Sequence, residues 1–119
     1  MNLDEAFLRH LDVYSRLRPG DDSQSPGDWA ERGQGPDSAS EWMAVEQYMG
    51  LFERIEVLIE GGVLDTHLTN RLYGYRVRNI VANERIRTKL LIEGAAGWQD
   101  FLSLVHRLKK DGRVFPSLP

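Results

Sequence analysis

Between Glu41 and Gly62 the sequence EWMAVEQYMGLFERIEVLIEGG keeps a helical rhythm for longer than any other stretch of the chain. Trp42, Val45, Met49, Phe52, Ile55 or Glu56, and Ile59 recur at steps of three and four, which puts a wide apolar stripe along one side of a helix. A stripe of that width must be covered, so the remaining segments are constrained to wrap around this one. Its ends are also legible. Ser38 and Glu41 have the spacing of a capping box, and Gly61-Gly62 forms a left-handed stop.

The remaining apolar spacing is helical too. Asn2 to Arg18 reads as one amphipathic helix, with Asn2 and Glu5 at cap spacing, Leu3, Phe7, Leu11 and Tyr14 along its face, and Pro19-Gly20 ending it. Leu8 and Leu17 lie off that face and broaden it. Val63-Leu64 is expected to fold back on the last turn of the central helix, and Asp65 to cap the next one, in which Leu68 and Leu72 face inward and Gly74 makes a kink or short break. Val77, Ile80, Val81, Ile86, Leu90 and Leu91 continue the apolar positions, with Asn83 as a local cap and a bend near Ala82. After a small-residue turn at Gly94 to Gly97, a last helix to Lys110 carries Trp98, Phe101 or Leu102, Val105 and Leu108, and Asp111 to Pro119 forms an extended tail.

No alternating stretch bounded by hairpin turns occurs, and a chain of 119 residues holds one core. The expected fold is all-α: a single-domain antiparallel bundle of four or five helices. One long interruption remains. Gly20 to Asp37, GDDSQSPGDWAERGQGPD, is rich in Gly, Pro, Ser and Asp, and reads either as a mobile acidic linker with Trp29 tucked onto the helices or as a binding loop built around Trp29.

The run YMGLFERIEVLIEGGVLD, followed after a helix by GYR, resembles an uncharacterised family of small bacterial helical domains: an aromatic-x-x-FE core helix, a glycine stop, an apolar-Asp pair and a Trp-containing final helix. The resemblance covers Trp42 to Leu108 and implies a fold without implying a catalytic residue.

Composition narrows the chemistry. With no cysteine, the chain has no disulfide, no thiolate ligand and no thiol nucleophile. The charged N-terminal stretch has neither a signal-peptide core nor an apolar span, so the cytoplasm is the expected compartment. His10, His67 and His106 sit on three separate helices without ligand spacing, and read as surface histidines; Asp65 and His67, two residues apart, point in different directions. Glu53, Glu56 and Glu60 form an acidic stripe but lack the Glu-x-x-His units of a di-metal bundle, so a solvated face is expected. No nucleophile elbow, P-loop or GxGxxG is present, and no cofactor is expected.

The strongest charge feature is Arg71, Arg76, Arg78, Arg85, Arg87 and Lys89. Arg71, Arg78 and Arg85 are seven apart, so on one continuous helix they drift only ~20° per step and make a positive ridge. The ridge is either paired internally or meets a partner. The formal net charge of −3 supplies no global pull toward nucleic acid, so a protein partner is favoured. The expected function is a non-enzymatic helical module that binds another protein through this ridge and Trp29, of a bacterial regulatory or immunity type. Its alternative is a nucleic-acid-binding helical protein.

Overall fold

The computed structural model describes residues 2–30 and 34–116. Six α-helices are found among them: α1 (Leu3–Leu8), α2 (Leu11–Leu17), α3 (Ala39–Glu60), α4 (Thr66–Ala82), α5 (Glu84–Ile86) and α6 (Gln99–Lys110). Between α5 and α6 the chain winds through a π-helical segment, Arg87–Glu93, and a 3-10 turn, Ala95–Gly97. No strand occurs among the described residues, and the expected all-α class is the observed one.

α3 is the centre. Its capping box is complete, with the Ser38 side chain accepting from the Glu41 amide while the Glu41 carboxylate accepts from the Ser38 amide. The Ser38 amide, and then that of Asp37, hold the Glu41 carboxyl below its ordinary pKa. Gly62, at φ +78°, turns the chain out of the helix, and the amides of Val63 and Leu64 both return to the Leu58 carbonyl. Val45, Met49, Phe52, Ile55 and Ile59 are buried as the spacing requires, but so are Tyr48, Leu51 and Glu56, so more than one face of α3 is covered. The Phe52 ring lies 5.5 Å from Phe7, 5.2 Å from Tyr48 and 6.4 Å from Phe101, joining α1, α3 and α6 at one point.

The ascending pairs Glu53–Phe101 and Glu56–Arg107 show α6 running in the same sense as α3, whereas His67 and Asn70 at the start of α4 meet Asp111 at the end of α6. The antiparallel relation therefore holds for α3 with α4 and for α4 with α6. It fails for α3 with α6 because the segment from Asn83 to Trp98 takes the chain back across the bundle. The six apolar positions from Val77 to Leu91 are all buried, and Asn83 caps α5 by accepting from the Ile86 amide.

Four expectations on the helices need correction. The first helix is two, because the chain bends at Arg9-His10; the bend rotates α2, so Val13 and Leu17 are buried while Leu11 is 46% exposed. Val63 is exposed, and only Leu64 packs back. α4 is continuous through Gly74. Leu68 and Leu72 face outward, since the inward side of α4 is made by Thr69, Asn70, Gly74, Val77 and Ile80.

Gly74 answers to packing. Asn70, buried one turn earlier, accepts at Oδ1 from the Arg113 Nε at 2.9 Å, and its carbonyl accepts from Arg113 Nη2 at 2.9 Å. A Cβ on Gly74 would lie 2.1 Å from Asn70 Oδ1 and 2.9 Å from Arg113 Nε. The tail is thus fastened at Arg113, and its residues 117–119 lie outside the described ones. In an ordinary helix interior, Gly→Ala stabilises by roughly 0.5–1 kcal/mol. Here Gly74→Ala is expected to destabilise by about 1–3 kcal/mol, the range of overpacked sites; urea unfolding of the variant against the parent protein checks the sign.

Candidate interaction surface

The residues of the arginine ridge do not form one ridge. The heptad arithmetic requires a continuous helix, and the chain leaves α4 at Asn83 with extended backbone before starting α5. Beyond that break Arg85 pairs with Asp37, Arg87 donates from Nη1 to the Val81 carbonyl at 2.7 Å, and the Lys89 ammonium sits 4.2 Å from the centre of the Trp42 ring. These three cations are engaged within the fold.

Arg76 is engaged differently. Its guanidinium lies 4.5 Å from the Phe7 ring centre, 4.2 Å from Tyr14 and 5.7 Å from Tyr75, and Nη1 reaches the Tyr48 hydroxyl at 3.5 Å. An aromatic cage of this kind attracts a cation through ring quadrupoles, although the buried Arg76 Nε has no hydrogen-bond partner among the described residues. It fixes the crossing of α1 and α2 over α4, together with the Tyr73 hydroxyl, which donates to Asp4 at 3.0 Å.

Trp29 is 4% exposed and anchors its loop, so it offers no ring to a partner. The Trp29 and Gly27 amides donate to the Arg16 and Arg18 carbonyls, which α2 leaves open at its C-terminus. The Arg16 guanidinium stacks 4.8 Å from the Trp29 ring and pairs with Asp12, Asp28 and Glu41. Asn83 Nδ2 donates to the carbonyls of Trp29 and Gln34 while its Oδ1 caps α5. The loop between α2 and α3 is thereby tied to the C-termini of α2 and α4, at the end of the bundle where α3 begins; Glu31 and Arg32, counted in its acidic composition, lie outside the described residues.

Of the acidic stripe of α3, Glu60 is exposed as on a solvated face, but the other two carboxylates are engaged within the fold. Glu56 is 2% exposed and accepts from Arg107 Nε at 2.8 Å, and Glu53 accepts from the Phe101 amide at 3.1 Å, serving as the cap that Trp98 does not supply to α6. Of the histidines, His106 is exposed, His67 is exposed and pairs with Asp111 at 2.9 Å, and His10 is half-buried, with its ring 5.5 Å from Tyr48. Burial, then the charges of Arg54 and Arg9, lower the His10 pKa and so favour the uncharged ring. Among the described residues no three His, Asp or Glu side chains stand together as a metal site. A depression of about 640 Å³ between α3 and α6 is lined by Glu56, Glu60, Ser103, His106, Arg107 and Lys110, among others.

One open surface is the outer side of α4. Leu68, Leu72 and Tyr75 are 52%, 51% and 38% exposed at successive turns, and Arg71 and Arg78 run along one edge of them. Neither arginine has an ion-pair partner among the described residues. Tyr14 meets Tyr75 edge-on at 6.3 Å, and Leu11, one turn before Tyr14, is exposed. Of the seven residues expected to meet a partner, only Arg71 and Arg78 are thus placed together and left unpaired. Helical spacing assigns Leu68 and Leu72 to the core, and Tyr75 carries no sequence signal that separates it from a buried ring.

No family model, curated protein or solved structure matches the chain. The resemblance to small bacterial helical domains adds no residue role to this surface.

Burial drives the Tyr48 hydroxyl up to about 12, although Arg76 pulls it down. A folded-state value above the free one of about 10 means that Tyr48 supports folding fully below pH ~10 and ceases to do so as pH rises through ~12. Stability is expected to fall by about 2–3 kcal/mol across that interval, and Tyr48→Phe to remove this part of the loss. Chemical denaturation at pH 9 to 12 on both proteins measures it.

Proposed function

We propose that this protein is a non-enzymatic helical interaction module whose α4 outer face docks an acidic amphipathic helix of another protein. The observation that carries the reading is the juxtaposition of Leu68, Leu72 and Tyr75, exposed in a row, with Arg71 and Arg78 unpaired along their edge. A row at helical spacing matches the anchors of helix-in-groove recognition, and the two arginines would select glutamate or aspartate on the incoming helix. A bacterial regulatory or immunity-type role, in which the module neutralises a partner by covering it, asks no chemistry of this chain. The pairing of the buried Glu56 carboxylate with Arg107, beside the depression between α3 and α6, supports the non-enzymatic part of the proposal.

The test is titration of a synthetic helix bearing leucines on one face and glutamates on the other, followed by amide shifts. Shifts are expected at Leu68 to Arg78. Arg78→Glu is expected to weaken binding about tenfold or more, near 1.4 kcal/mol, with thermal stability unchanged. Binding untouched by Arg78→Glu and by Leu72→Asp overturns the proposal. Tight RNA or DNA binding whose salt slope flattens by about one unit in Arg78→Glu would transfer the surface to nucleic acid.

A further inference from the structure

Gly50 lies in the middle of α3, ten residues from the Glu60 end, and a Cβ built on it meets nothing within 4 Å. Mid-helix glycine weakens its helix relative to alanine, and at Gly50 neither a turn, a left-handed backbone nor a close neighbour within the chain asks for it. A glycine facing open space on a helix surface does, however, let another backbone approach closely.

The residues around it say which backbone. Glu46, one turn before Gly50, and Arg54, one turn after, are both exposed and have no ion-pair partner among the described residues. They share one i, i+4 row with Gly50 at its centre. When two helices pack through their i±4 rows, they cross at about −50°, the commonest class in globular proteins. If a second copy of α3 crosses the first in the opposite sense with the two Gly50 residues at the contact point, each Arg54 faces the other copy's Glu46. This twofold self-complementarity is what an isologous interface requires. Met43 and Val57, seven residues either side of Gly50, are 61% and 54% exposed on the same side of the helix. The surface is separate from the outer face of α4.

We propose that two copies of this protein associate through α3, antiparallel about Gly50, with paired Glu46–Arg54 contacts at the two ends of the crossing. One helix crossing covers less than the ~1,200 Å² of ordinary stable interfaces, so the dimer is weak and concentration-dependent.

Sedimentation equilibrium at low salt, up to about 1 mM protein, tests it. The parent protein is expected to dimerise over this range. Arg54→Glu and Glu46→Arg are each expected to weaken the dimer at least tenfold, and the double reversal to restore it to within about threefold of the parent. Gly50→Gln is expected to abolish the dimer while raising the thermal midpoint, because the monomer has room for the side chain and gains a better helix former. A parent protein that stays monomeric throughout overturns the proposal. So does a dimer that survives Gly50→Gln, or one that the double reversal fails to restore.

Discussion

The structure depends on the burial of α3 on more than one of its sides. Phe52 touches rings from α1 and α6, Tyr48 reaches the Arg76 of α4, and Glu53 and Glu56 hold the start and middle of α6. A buried Glu56 costs several kcal/mol of desolvation unless it is paired, and Arg107 is positioned to offset it. α4 and α6 are therefore each fixed by apolar contact with α3 and also by a polar group that would lose its partner if they moved.

The same polar logic decides where the chain turns. Asn83 serves three partners at once, capping α5 through Oδ1 and holding the Trp29 and Gln34 carbonyls through Nδ2. Asn70 and Gly74 receive Arg113, so the end of the chain is returned to α4. His10 sits at the bend between α1 and α2 with its ring near Tyr48. Asn83, Asn70, Arg113 and His10 are polar, yet they set the relation between the helices.

That is why legibility was uneven. α3 was readable with its cap, its stop and the phase of its stripe, because Trp42 to Ile59 is long, apolar and regularly spaced. The buried row from Val77 to Leu91 and the cap at Asn83 were readable for the same reason. The inner face of α4 was not, since it is built from Thr69, Asn70 and Gly74 while its leucines point to solvent. A stripe reading assigns leucine inward; hydrogen bonds to the tail and the close approach of Arg113 reversed that choice. The arginine ridge failed through connectivity. Seven-residue spacing is meaningful along one axis, and the Asn83 break separates Arg85 from Arg71 and Arg78. Two residues of the expected site survive as a pair, in company with Leu68, Leu72 and Tyr75, whose exposure only packing could reveal.

The orientation of α4 is the point on which fold and function meet, since the same rotation that buries Asn70 exposes Leu72. Urea unfolding of Leu72→Gln and Asn70→Leu, side by side, tests it most directly. Leu72→Gln is expected to change stability by less than about 1 kcal/mol, as for a surface position, and Asn70→Leu to cost about 2 kcal/mol or more by removing the side-chain acceptor of Arg113 Nε and the donor to Asp111. The reverse order, with Leu72→Gln the costly change, would contradict this orientation and remove the exposed face on which the proposed docking rests.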